Sequence, residues 1–183
     1  MSCFRNPIDV VTVLKIQKLF DPFIEPIIRK QNYISDWKDY VSKESLLSLF
    51  GEEVPRNKTS NLYRLCNYVQ LHESMLNIVK SYYPDCIVKC SGDFHYPKTG
   101  FMGWHTNHDN AHERVYIVYA TEEQKSFFRY YENKRIVTDY DNKGITVRKF
   151  QVTGERPYFW HCVGSECDRI SFGYTLNRGK NYG

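Results

Sequence analysis

Apolar positions in the front part of the chain recur at helical spacing. From Ile8 to Phe20 the stripe is Ile8, Val11, Leu14 or its near neighbour Ile16, and Leu19, and Asn6 before Pro7 has the form of an N-cap followed by proline at the first helical position. Pro22 and Pro26 each lack an amide donor and restrict the residue before them. The stripe is therefore expected to break near Asp21, and Phe23 to Trp37 is assigned to neither helix nor loop. Lys43 to Phe50, with Leu46, Leu47 and Phe50 ahead of Gly51, predicts a short helix. A longer helix is predicted after Thr59 or Ser60. Its stripe is Leu62, Leu65, Cys66, Val69, Leu76, Val79 and Tyr83, its stop is Pro84, and the stripe should pack on a sheet.

Beyond Pro84 the period shortens to two. Arg114 to Tyr119, Ser126 to Tyr131, Thr146 to Val152 and Arg169 to Thr175 are β-branched and aromatic runs separated by Gly, Asn and Asp, with turn chemistry at Tyr96 to Gly100 and Asp139 to Gly144. With Cys86 to Cys90 and the stretches around His95, Trp104 and Trp160, about eight short strands fit into roughly ninety residues, as in a sandwich or barrel. The expected fold is α+β: a jelly-roll, or double-stranded β-helix, core with the N-terminal helices packed on one face. Residues 1–183 read as one domain, with 1–84 a mainly helical support and 85–178 the core.

Composition narrows the class. Of 183 residues, 16% are aromatic, which favours half-buried pleated surfaces, and the net charge of +4 without a basic cluster gives nucleic-acid binding no support. No apolar run approaches the roughly 20 residues needed to span a bilayer, and the N-terminus lacks the features of a secretory signal, so a cytoplasmic location is expected. Six cysteines are then read as free thiols; a four-thiolate zinc site from Cys86, Cys90, Cys162 and Cys167 has irregular spacing.

His95, His105, His108 and His112 lie close together, interleaved with Asp93, Asn107, Asp109 and Glu113, while His161 ends a later strand and Arg169 and Ser171 follow on the next. Two histidines and one carboxylate from different strands make a facial triad that leaves positions open on iron. Arg169 offers a planar fork that matches a carboxylate, and Ser171, two residues on, points to the same face of the strand. Tyr116, Tyr119 and Arg129 are candidates to line the same space.

Trp104-His-Thr-Asn-His-Asp109, Trp160-His-Cys-Val163 and Arg169-Ile-Ser171 together resemble the iron(II)/2-oxoglutarate-dependent dioxygenase superfamily over about the C-terminal half, with some likeness to small members from phages and large viruses. The resemblance implies Fe(II) held by His105 and His161, 2-oxoglutarate held by Arg169 and Ser171, and O2 as co-substrate; Asp109 is the nearest acid to complete the metal set, and Tyr116 is added as a cofactor-binding candidate from its strand direction. It implies hydroxylation of a substrate, a protein side chain or a nucleobase, with decarboxylation of 2-oxoglutarate to succinate. The pattern departs at one place. The family spacing His-x-Asp puts Asn107 where the acid belongs, and Asp109 stands four residues after His105. Asp109 as ligand, Asn107 as ligand and a vacant acid position all stay open. The rivals are a noncatalytic jelly-roll binding module with a degenerate metal site and a cupin-like isomerase or thiol dioxygenase that would not need Arg169.

Overall fold

The computed structural model describes residues 3–5, 8–28, 36–50 and 60–178. A helix, α1 (Val10–Ile28), a 3₁₀ turn (Trp37–Val41) and a short helix, α2 (Lys43–Leu49), precede a third helix, α3 (Val69–Tyr82). The strands are β1 (Phe4–Arg5), β2 (Ser60–Asn61), β3 (Tyr63–Arg64), β4 (Cys86–Tyr96), β5 (Phe101–His105), β6 (Glu113–Ala120), β7 (Ser126–Glu132), β8 (Arg135–Tyr140), β9 (Gly144–Gln151), β10 (His161–Ser165) and β11 (Arg169–Arg178). They form two antiparallel sheets, ordered β1-β9-β6-β11-β4-β3 and β2-β5-β10-β7-β8.

Three apolar clusters define the layers. Tyr96, Phe128, Tyr130, Phe150, Phe159 and Val163 pack between the sheets. Ile16, Phe20, Ile27, Leu71, Met75 and Val79 of α1 and α3 bury the outer face of the six-stranded sheet, against Val115, Ile117, Ile170, Phe172 and Tyr174. Trp37, Val41 and Leu46 cover the other outer face, against Phe101, Trp104, Phe127, Trp160 and Cys162. The helical front is thus divided between both outer faces and not stacked on one, because each sheet has an apolar outer face that needs cover.

Helix α1 departs from its expected stripe. Val11 and Leu14 are exposed, at 62% and 56%, and the buried positions are Ile16, Phe20 and Ile27. The helix starts after Asp9, whose carboxylate accepts from the Thr12 amide at 2.9 Å and from its hydroxyl at 2.7 Å. These two bonds hold the Asp9 carboxyl below its ordinary value. Asn6 and Pro7 lie outside the described residues. The helix also runs through Pro22 and Pro26. Both prolines are exposed, so the carbonyls they leave unpaired lie on the water side, while burial of Phe20 and Ile27 holds the helix down.

The helix expected from residue 60 begins at Val69 instead. Ser60–Asn61 pairs with Met102 and Phe101 of β5, and Tyr63–Arg64 pairs with His95 and Phe94 of β4, so this stretch closes sheet edges. The eight strands β4–β11 agree with the expected number, and the short helix at Lys43 is capped by Ser42, whose hydroxyl accepts from the Ser45 amide. All six cysteines are free thiols. Among the described residues no helix is long and apolar enough to cross a membrane.

Candidate functional site

Strand alternation sorts each Trp-His pair. Trp104 and Trp160 turn outward into the layer under the 3₁₀ turn, where the Trp104 indole donates to the Ser42 carbonyl at 2.7 Å. The next residues, His105 and His161, therefore turn inward. They are direct cross-strand partners in the β5–β10 pair, and their ring centroids lie 4.1 Å apart.

Backbone carbonyls set both tautomers. His105 Nδ1 is 2.8 Å from the Gly103 carbonyl and His161 Nδ1 is 2.9 Å from the Phe159 carbonyl. A carbonyl only accepts, so each Nδ1 carries the proton and each Nε2 carries the lone pair. This is the arrangement in which a ligating imidazole is oriented by its other nitrogen. The rings are walled by Phe128, Phe150 and Phe159 at centroid distances of 5.4, 5.7 and 5.3 Å from His161.

After Thr106 the backbone turns sharply at Asn107, whose φ of 54° and ψ of 26° are left-handed, a region that asparagine tolerates better than most side chains. The turn brings Asn107 Nδ2 to 3.1 Å from His161 Nε2. Asp109 follows in a short 3₁₀ turn, His108–Asn110, and is exposed. A cavity of about 80 Å³ between the sheets is lined by His105, Asn107, Arg114, Tyr116, His161 and Ser171, among others; Asp109 is not in its lining. Among the described residues, no group of three or more His, Cys, Asp and Glu side chains is placed to hold a metal ion. The two imidazoles fit a divalent metal, and the third donor beside them is an amide. Its oxygen and nitrogen are interchangeable by rotation, so Asn107 can present Oδ1 to a cation.

The alternation of β11 sends Ile170, Phe172 and Tyr174 to the helices and Ser171 and Gly173 to the cavity. Gly173 is required there, since a Cβ would stand 2.8 Å from Cε1 of Tyr116. Arg169 is buried beyond Tyr96, its guanidinium 4.9 Å from that ring centroid. Its Nε donates to Asp141 Oδ2 at 3.0 Å and its Nη1 has no hydrogen-bond partner. Arg169, unlike Ser171, is not in the cavity lining; its buried, unpartnered guanidinium nitrogen beyond Tyr96 is a group that a carboxylate would pair.

Asp141 is fully buried and is shared by Arg169, Arg148 and the Ser126 hydroxyl. Burial alone would raise its carboxyl, but the two guanidiniums overcome that and hold it at about 2. Burial likewise pushes the Tyr96 phenol above its usual range, against the opposing pull of Arg169.

Of the other sequence candidates, Tyr116 reaches the cavity. Tyr119 does not: it faces α1 and stacks on Phe20 at 5.8 Å. Arg129 lies on the opposite face of its sheet, donating to the Val41 carbonyl and to Thr138. His95 is 2.8 Å from Asp168, and His108 is 3.2 Å from the Thr106 hydroxyl. Arg114 and the Asp141–Arg148 pair were not singled out by sequence. Arg114 opens a strand run and reads as a polar end, and the Asp141 contacts join a turn to two distant strands.

No protein-family model matches the chain, and no curated protein matches it. Among solved structures, it is similar to a prolyl-4-hydroxylase of Pseudomonas putida, with 14% identity and a TM-score of 0.46 over 97% of this chain and 91% of that one. It is also similar to a prolyl hydroxylase of Trichoplax adhaerens, solved with a hypoxia inducible factor peptide, with 10% identity and a TM-score of 0.48 over 98% of this chain and 84% of that one. A 2OG-Fe(II) oxygenase family oxidoreductase of Burkholderia pseudomallei is similar with 10% identity and a TM-score of 0.42 over 81% of this chain and 93% of that one.

Proposed function

We propose that the protein is an Fe(II)/2-oxoglutarate-dependent hydroxylase in which His105 and His161 hold the metal and Arg169 and Ser171 hold the distal carboxylate of 2-oxoglutarate. The observation that carries this reading is the facing imidazole pair, each ring fixed by an Nδ1–H bond to a carbonyl so that its Nε2 is the donor atom. The third position falls to Asn107, supported by its contact with His161 and its place in the cavity; Asp109 would need the 3₁₀ turn at His108 to rearrange.

Bound iron would supply the redox chemistry that activates O2. The balance is one substrate C–H, one 2-oxoglutarate and one O2 giving the alcohol, succinate and CO2. The chain's own part is to orient and to exclude water. Phe128, Phe150 and Phe159 keep the histidine rings dry, and Tyr116 lines the cavity.

A double-stranded β-helix core is supported by the strand order β9-β6-β11-β4 facing β5-β10-β7-β8. We read 1–183 as one domain with 85–178 as this core, braced by the helices of 1–84. The free thiols favour a reducing, cytoplasmic setting.

Anaerobic titration with Fe(II) and then 2-oxoglutarate tests the function. The expected result is a visible charge-transfer band from the chelated 2-oxo acid that fades in Arg169→Ala. A second reading, a noncatalytic binding module, is favoured by the amide in place of the acid; absence of iron uptake and of the band would select it.

A further inference from the structure

Arg114 is buried and has no counter-ion among the described residues. It is 3% exposed, its Nη2 donates to the Asn110 carbonyl at 2.8 Å, and its Nε has no hydrogen-bond partner. Among the described residues no carboxylate pairs with it; Glu113 beside it pairs with Lys149. Burial moves Lys or His toward the neutral form, but a guanidinium keeps its proton, so a buried arginine must find an anion or bear the cost of desolvation.

The alternation of β6 turns Arg114 and Tyr116 inward, and Arg114 lines the cavity with His105, Asn107 and His161, where no Asp or Glu side chain is present. The site is short of negative charge twice over, at the amide of Asn107 and at the unpaired Nε of Arg114. Arg169 is a separate locus. In the β6–β11 register Arg114 faces Thr175 and Arg169 faces Ala120, which places the two arginines at opposite ends of one strand pair, about 20 Å apart along the backbone.

We propose that this cavity binds the carboxylate of the substrate at Arg114 Nε, beside Asn107, so that the substrate is a small carboxylic acid. The assignment of that ligand as substrate rests on the hydroxylase reading, while the anion site itself does not. A carboxylate there would pair the buried guanidinium and would fix one end of the substrate beside the histidine pair.

Acetate is the probe, and metal-free protein separates this proposal from iron binding. The Arg114 Nε–H resonance, assigned by its loss in Arg114→Lys, is expected to move saturably with acetate in the parent and in Arg169→Ala. In Asn107→Asp, which adds a carboxylate to the lining of the cavity that Arg114 shares, acetate should bind about tenfold more weakly. With Zn(II) and 2-oxoglutarate added, acetate should still move the resonance. A resonance that ignores acetate, an Asn107→Asp variant that binds it unchanged, or displacement of acetate by 2-oxoglutarate would each overturn the proposal. Failure of Fe(II) uptake with the acetate response intact would overturn the hydroxylase reading and leave the anion site standing.

Discussion

The Asn107 amide nitrogen stands 3.1 Å from His161 Nε2, the nitrogen whose lone pair faces the cavity. An amide that caps this lone pair also occupies the place where a third metal donor would sit. Metal binding here would require the amide to turn its oxygen inward, and the donor set would then lack a charge.

Asn107→Asp should therefore tighten divalent metal binding. The exchange is isosteric, and aspartate also tolerates the left-handed backbone at this position. Mn(II) affinity, read by calorimetry, is expected to rise by at least about tenfold, since a charged oxygen donor replaces a neutral one. Unchanged affinity would mean that residue 107 is not a donor.

Ser171→Ala should weaken 2-oxoglutarate about fivefold and leave stability nearly unchanged, because the hydroxyl lines the cavity and one neutral hydrogen bond is at stake. The Kd from the charge-transfer titration gives the answer.

Acid should unfold the protein partly through Asp141. Its folded-state value of about 2 lies below the ordinary 3.8, so the unfolded chain takes up the proton first. The stabilisation is complete above about pH 4 and is lost as pH falls through about 2, with a size on the order of 2 kcal/mol. Asp141→Asn, which leaves Arg148 and Arg169 without their shared acid, should be less stable at pH 7 by about 3 kcal/mol or more and should show a flatter acid limb in urea melts.

Gly164→Ala should destabilise by about 1–3 kcal/mol. A Cβ on this β10 residue would stand 2.5 Å from both Phe127 Cζ and Trp37 Cζ3, in the layer beneath the 3₁₀ turn. A lower melting temperature, partly restored by Phe127→Leu, would locate the clash.

Pro22→Ala should stabilise the chain by about 1 kcal/mol, because an amide donor returns to the middle of α1 on its exposed side. Thermal denaturation measures this directly, and a loss of stability would mean that the proline shapes the helix to the sheet.

Much of this architecture was legible from local pattern. Runs such as Arg114 to Tyr119 and Arg169 to Thr175 carry the period of two, and β6 and β11 contain them. Local reasoning failed where tertiary packing overrode it. Val11 and Leu14 fit a stripe yet face water, since the sheet selects Ile16 and Phe20. Leu62 and Leu65 mimic the start of a helix, but residues 60–64 are drawn into two sheet edges. In the candidate site, His105, His161 and Ser171 line one cavity. Arg114 stayed hidden because burial of an arginine leaves no mark on sequence, and the role of Asp141 depends on partners that lie 7 and 28 positions away.

β11 is last among the described strands and yet central, paired with β4 over Arg169–Arg178 and with β6 over Arg169–Leu176. During synthesis those two neighbours must wait with open edges until Arg169–Arg178 has emerged and inserted between them. The six-stranded layer therefore closes by a long-range event that no early hairpin can replace. The cavity wall formed by Ser171 and Gly173 arrives only with that closure, so ligand capacity should appear on the clock of final folding and not of first collapse.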